Sequence, residues 1–115
     1  MKGPIYDKSF SFALRIVRLS KFLQGKKEFV LSKQVLRSGT AIGALVREAE
    51  HAESKADFTH KMAIALKEAN ETLYWLELLH EAQFIETSDF QSIHHDSAEL
   101  LKLLIAIVKT SKNKG

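Results

Sequence analysis

LRSGTAIGALVREAEHAESKADFTHKMAIALKEANETLYWLELL, from Leu36 to Leu79, decides the fold. Its apolar residues return at steps of three, four and seven, the period of a helix with one buried face. Before Ser54 the stripe is Leu31, Val35, Ile42, Val46 and Ala49; after it, Phe58, Met62, Ala65, Leu66, Ala69, Leu73 and Leu76. Between them, Ser54-Lys55-Ala56-Asp57 has the form of a capping box, with Asp in place of the usual Glu or Gln. The serine hydroxyl accepts an early backbone N–H and the carboxylate favours the positive end of the helix. Two long helices therefore meet at a turn near Ser54.

Two more helices flank this hairpin. The chain has one proline, Pro4, so nothing breaks helical periodicity from about Asp7. A first helix is expected over 7–24, ending at Gly25, a residue that tolerates the left-handed conformation. The second spans 28–53 and the third 54–83. Ser88-Asp89-Phe90-Gln91 repeats the capping pattern and opens a fourth over 88–110, with Phe90, Ile93, Ser97, Leu100, Leu104 and Val108 in heptad-like spacing. Lys112-Asn113-Lys114-Gly115 reads as a frayed basic tail. Helices of this length joined by short turns pack antiparallel, so the expected fold class is all-α, one domain over 1–115, an up-and-down four-helix bundle. At 115 residues there is length for one core and not for two.

Composition excludes several classes. Hydrophobic residues are 45% and charged residues 27%, a globular balance. Cysteine is absent, which rules out disulfides and thiolate metal sites. The N-terminus shows no apolar signal core and no apolar run approaches a membrane span, so a cytoplasmic protein without membrane contact is expected.

Charge is the informative asymmetry. Residues 1–47 carry ten Lys/Arg against two acids, net +8; residues 48–115 carry seven against twelve, net −5. Opposite-signed halves suit either a polyanion or a charge-complementary contact between copies. Lys33, Arg37, Thr40, Ala44, Arg47 and His51 recur on one face of helix 2 over about 27 Å, at 1.5 Å per residue. Helix 1 adds Lys8, Ser11, Arg15 and Arg18, with Lys21, Lys26 and Lys27 near its C-terminal end and no acid from Lys8 to Lys27. Rows of this kind fit a phosphate backbone, where affinity comes mainly from counterion release. With no stacking platform or base-reading motif in view, contact with RNA or DNA should favour shape and backbone over sequence.

Apolar surface is in surplus. On helix 1, Phe10, Phe12, Ala13, Leu14, Ile16, Val17, Leu19 and Leu23 cover well over half the circumference, and helix 3 places Ile64, Trp75 and Leu78 opposite its core stripe, interleaved with Glu68 and Glu71. These five helix 3 residues are the expected oligomer interface, since an exposed patch of this size is unusual on a monomer.

Chemistry is harder to find. Glu48-x-x-His51 and Glu77-x-x-His80 match the Glu-x-x-His pattern of di-iron bundles. If the helices turn near Ser54, however, Glu48 lies level with about His60, some 27 Å from Glu77. Glu77, His80, His94 and His95 form a smaller candidate cluster across the helix 3 to helix 4 turn. No Ser/His/carboxylate spacing suggests nucleophilic catalysis, and nothing asks for a cofactor. Gly39 and Gly43 each cost a helix about 1 kcal/mol relative to alanine; close approach of a neighbouring helix is the physical reason to keep them.

Leu36-Arg37-Ser38-Gly39-Thr40-Ala41-Ile42-Gly43-Ala44, with Arg47-Glu48-Ala49, Ala52-Glu53-Ser54-Lys55-Ala56-Asp57-Phe58, Ile64-Ala65-Leu66-Lys67-Glu68-Ala69 and Glu71-Thr72-Leu73-Tyr74-Trp75-Leu76-Glu77-Leu78-Leu79, resembles the bacterial 23S rRNA intervening-sequence proteins. Phe12-Ala13-Leu14-Arg15-Ile16-Val17 fits the opening helix of that family. Leu45 departs from it, standing where asparagine is common. The resemblance implies a four-helix bundle that assembles into a ring, typically a homopentamer, with no established enzymatic activity. A similar bundle accompanies the reverse transcriptase of diversity-generating retroelements, so the resemblance also implies a nucleic-acid role. Carried over by motif are Arg37, Glu68 and Glu71, with Glu48, whose bland reading is an ion-pair network at a subunit contact. The expectation is thus a non-enzymatic, rRNA-associated homo-oligomeric adaptor. A protein-binding scaffold is the alternative, and a metal-carboxylate enzyme the third.

Overall fold

The computed structural model describes residues 3–113. Four helices follow one another: α1 Pro4–Gly25, α2 Val30–Glu50, α3 Lys55–Glu81 and α4 Thr87–Asn113. Each packs on two neighbours around a square, α1 on α2, α2 on α3, α3 on α4 and α4 back on α1, the last contact being the sparsest. The bundle is 46 Å long and about 20 Å across.

Every helix buries one seam at steps of three and four. On α1 it is Ile5, Ser9, Phe12, Ile16, Ser20 and Leu23; on α2, Ser32, Val35, Gly39, Ile42, Val46 and Ala49. On α3 it is Met62, Ala65, Ala69, Thr72, Leu76 and Leu79; on α4, Ile93, Ser97, Leu100, Leu104, Val108 and Ser111. Small hydroxyls recur in these seams and bond across them. Ser20 donates to Ser32 O, Thr72 to Ser38 Oγ, and Thr59 pairs with Ser111. Each antiparallel pair along the chain so has a hydroxyl contact between its helices, satisfying polar groups that would otherwise be costly inside.

The glycine expectation divides. A Cβ on Gly39 would stand 2.7 and 2.8 Å from the branch carbons of Ile16, so α1 and α2 touch there only because the side chain is absent. A Cβ on Gly43 would meet Ser9 O at 3.4 Å, nearly an ordinary contact.

The helix ends correct several expected boundaries. Ser54 does cap α3, its hydroxyl accepting from Asp57 N at 3.0 Å, while Asp57 accepts from Glu53 N at 3.2 Å. α2 stops at Glu50, not residue 53, and α4 begins at Thr87, one residue before Ser88. α1 starts three residues early, because proline at its first position lacks an N–H that would be unsatisfied there anyway. Gly25 is not the left-handed residue; it stays in the helix, and Lys27 takes φ 64° instead. Glu28 N then reaches Leu23 O and Lys27 N reaches Gln24 O, a Schellman closure. Gln83, φ 67°, repeats it after α3, with Phe84 N on Leu79 O and Gln83 N on His80 O. Lys112 and Asn113 extend α4; Lys114 and Gly115, like Met1 and Lys2, lie outside the described residues. No helix among those described is long and apolar enough to cross a membrane.

Candidate nucleic-acid interface

The basic row of α1 is largely used within the chain. Lys8 Nζ pairs with Glu99 at 3.1 Å. Arg15 pairs with Asp96 at 2.6 Å and donates to Ser92 Oγ and Ser92 O. Lys8 and Arg15, seven residues apart on α1, thus meet acids on one side of α4 and bridge the sparsest seam of the bundle.

On α2 the row is divided too. Arg37 pairs with Glu68 at 3.2 Å and with Glu71, both on α3. Glu71 also accepts from Trp75 Nε1 at 2.9 Å. The indole N–H and then the Arg37 guanidinium hold the Glu71 carboxyl below its ordinary range. Its partner's guanidinium is pushed up, first by the Glu71 hydrogen bond. The expected ion-pair network exists, then, but inside one chain. Trp75 corrects another expectation: it does not lie opposite the core stripe but packs partly buried against the core, while Ile64 and Leu78 are half-buried. Arg47 lies over two rings of α1, 4.7 Å from the Tyr6 centroid and 5.0 Å from that of Phe10. Glu48 holds Lys61 at 2.9 Å, which places it level with the start of α3, far from Glu77.

Apart from Arg47, the cations of α1, of α2 and of the turn between them that carry no ion pair among the described residues gather at one end. Arg18, Lys21, Lys27 and Lys33 are exposed and carry no ion pair among the described residues, and the Lys26 ammonium sits 5.0 Å from the Phe22 ring centroid. All five flank the α1–α2 turn. Glu28, the acid within this stretch, turns its carboxylate to the start of α2 and accepts from Leu31 N at 2.6 Å and Ser32 N at 3.3 Å. The neighbouring α3–α4 turn is acidic, with Glu81, Glu86 and Asp89 lining an open cleft of about 930 Å³ that also reaches Lys26 and Phe22. This end of the molecule is positive on its α1–α2 side and negative across from it.

The histidine cluster does not converge. His80 stacks on Phe90 at 4.2 Å and meets Thr87 Oγ1 at 3.1 Å, while His94 lies 3.8 Å from Glu77. Among the described residues no three His, Asp or Glu side chains come together as a metal site. Sequence reading missed the exposed rings Phe22 and Phe29, because an apolar residue near a helix end looks like core until the turn is built.

Comparison with known proteins agrees with this architecture. The model of the family described as 23S rRNA-intervening sequence protein matches residues 2–106. A crystal structure from Bacteroides thetaiotaomicron VPI-5482, described as a protein with unknown function from the S23 ribosomal protein family, superposes with a TM-score of 0.89. It is 60% identical, over 91% of this chain and 98% of that one. No curated protein matches. With most of its length matched by the family model, and its four-helix architecture shared with that neighbour, the chain belongs to the 23S rRNA-intervening sequence protein family.

Proposed function

We propose that the chain is a non-enzymatic nucleic-acid-binding adaptor that grips a phosphate backbone with the cations around its α1–α2 turn. One observation carries this reading: Arg18, Lys21, Lys27 and Lys33 share one end of the bundle with no ion pair among the described residues. A polyanion reaching them displaces only counterions, whereas Lys8, Arg15 and Arg37 must first leave a carboxylate. The family name and the neighbour's description both point toward the ribosome, which makes structured RNA the first ligand to try. Self-association belongs to the same reading. Phe10, Leu14 and Ile105 stay exposed along the bundle, and a homo-oligomer, in the ring of five copies that the family resemblance implies, would cover such surface.

Fluorescence anisotropy against structured RNA and duplex DNA across a salt series tests the interface. Tight binding at low salt that weakens linearly in log salt is expected, and the triple substitution Lys26→Ala, Lys27→Ala and Lys33→Ala should flatten the slope by about 2 to 3. No binding at low salt, or an unchanged slope in the triple variant, removes the reading. Light scattering checks the oligomer, which a monomeric mass would exclude.

A further inference from the structure

The cationic end carries two phenylalanines that the core does not use. Phe22 is 48% exposed and Phe29 61%, with Val30 beside it at 71%. They flank the closure in which Glu28 N reaches Leu23 O at 2.9 Å. Around them stand the unpaired cations, Lys26 over the Phe22 ring among them. Of the other exposed rings, Tyr74 meets Trp75 edge to face at 5.1 Å, and Phe10, which like Phe22 has a cation over it, lies 15 residues before the end of α1, about 22 Å from this turn.

Phe22 is also one wall of a cleft of about 290 Å³ between α1 and α4. Leu19, Ile85 and Ile93 supply apolar lining, and Arg18 and Asp89 are its charged members besides Arg15, which Asp96 holds. Asp89 and the apolar side chains give a phosphate no partner, which leaves Arg18 as the one free cation among the described residues of the lining. A nucleobase suits both, since its flat face lies on the ring and its amine or ring N–H donates to a carboxylate. The phosphates then fall to Arg18, which the cleft shares, and to Lys21 and Lys26 beside it.

We propose that this end binds unpaired nucleotides, with bases stacked on Phe22 and Phe29 and the intervening phosphates on the adjacent cations. The proposal rests on the nucleic-acid reading above and names its ligand as a single strand. Duplex RNA or DNA keeps its bases stacked on one another and leaves the two rings without a partner. A loop or bulge offers bases already free to turn outward.

The test uses the full chain and four labelled probes with equal numbers of phosphates: a mixed-sequence single-stranded RNA, the DNA of the same sequence, its duplex, and an abasic strand. Each intact single strand should bind about tenfold or more tighter than the duplex or the abasic strand. Phe22→Leu and Phe29→Leu, which keep apolar bulk but lose the ring, should each cost about tenfold on intact single strands and nothing on the abasic one. Thermal melts confirm that both variants fold. A ratio of RNA to DNA affinity above one assigns the ligand to RNA within the proposal, and a ratio below one to DNA. Equal binding of all four probes with unchanged Phe variants overturns the stacking while leaving the phosphate grip intact; no binding to any probe overturns both. A change in mass by light scattering in the Phe variants makes the rings a contact between copies and likewise overturns the inference.

Discussion

Alanine at Gly39 and at Gly43 should move stability in opposite directions, although the two glycines lie one helical turn apart on the same helix. In a straight helix, alanine is better than glycine by about 1 kcal/mol, and both positions receive that gain. At Gly39 the new Cβ would sit 2.7 Å from Ile16 Cγ1, 2.8 Å from Cγ2 and 3.1 Å from Cδ1. Carbon atoms prefer about 3.5 to 4.0 Å, so the contact is short by roughly 1 Å. Ile16 is wholly buried, and its two nearest atoms both branch from Cβ, where a helical isoleucine has essentially one χ1 rotamer. The neighbour cannot swing aside, and α1 has to move away from α2. Overpacking of this kind costs about 3 kcal/mol, which leaves Gly39→Ala destabilised by about 2 kcal/mol. At Gly43 the contact is Ser9 O at 3.4 Å, a few tenths of an ångström of adjustment. Gly43→Ala should be neutral or gain about 0.5 kcal/mol. Urea unfolding followed by far-UV circular dichroism, at one protein concentration, reads the difference. In heating experiments it appears as a gap of about 8 °C, at about 4 °C per kcal/mol. Adding Ile16→Ala removes the obstructing atoms, so Gly39→Ala should turn from a cost of about 2 kcal/mol into a gain of about 1 kcal/mol in that background, a coupling of about 3 kcal/mol. Equal stability of the two alanine variants, or a cost at Gly39 that persists with Ile16→Ala, would refute the close-approach argument.

Glu71 offers a pH test. Its folded carboxyl lies below the ordinary 4.5, held by the Trp75 indole and Arg37, so its contribution to stability is complete above about pH 4.5 and fades as pH falls through the lower folded value. Trp75 is the chain's one tryptophan, and its fluorescence should titrate with a midpoint below 4.5 that Glu71→Gln abolishes; a midpoint at or above 4.5 contradicts the geometry. With both partners part-exposed, Glu71→Gln itself should cost less than about 1 kcal/mol at neutral pH, checked by urea unfolding. Asp96→Asn frees Arg15 at a similarly small cost in stability. It should steepen the salt dependence of RNA binding by about 1, and an unchanged slope would place Arg15 outside the interface. Gln83→Gly relieves a left-handed residue after α3 and should stabilise the protein by about 1 kcal/mol in thermal melts, with destabilisation counting against the Schellman closure.

The candidate site was legible in its residues and illegible in their availability. Lys8, Arg15, Arg37 and Arg47 look equivalent to Arg18, Lys21, Lys27 and Lys33 in a row of helical charges. What separates them is the register of α1 against α4 and of α2 against α3, which brings Asp96, Glu99, Glu68 and Glu71 to the first three, and that of α1 against α2, which brings the Tyr6 and Phe10 rings to the fourth. A signal was present in Glu68-x-x-Glu71 and Asp96-x-x-Glu99, paired acids one helical turn apart. No local rule says which cation they face.

By itself the sequence determined four helices, their antiparallel order, the cap at Ser54 and much of the core stripes of α2, α3 and α4, because period and capping act within one or two turns and need no partner; it did not separate core from surface on α1, nor place Thr72 and Leu79 inside and Leu73 only half inside. It also determined the family, through the motifs between Leu36 and Leu79. Only the tertiary structure decided that Gly39 and not Gly43 is sterically required, that Lys27 and not Gly25 closes the first turn, and that Arg37 is answered within its own chain. It also left Phe22 and Phe29 uncovered beside unpaired lysines. These outcomes depend on distances of a few ångströms between elements far apart in sequence, and a shift of one helix by a single turn would exchange every one of those partners.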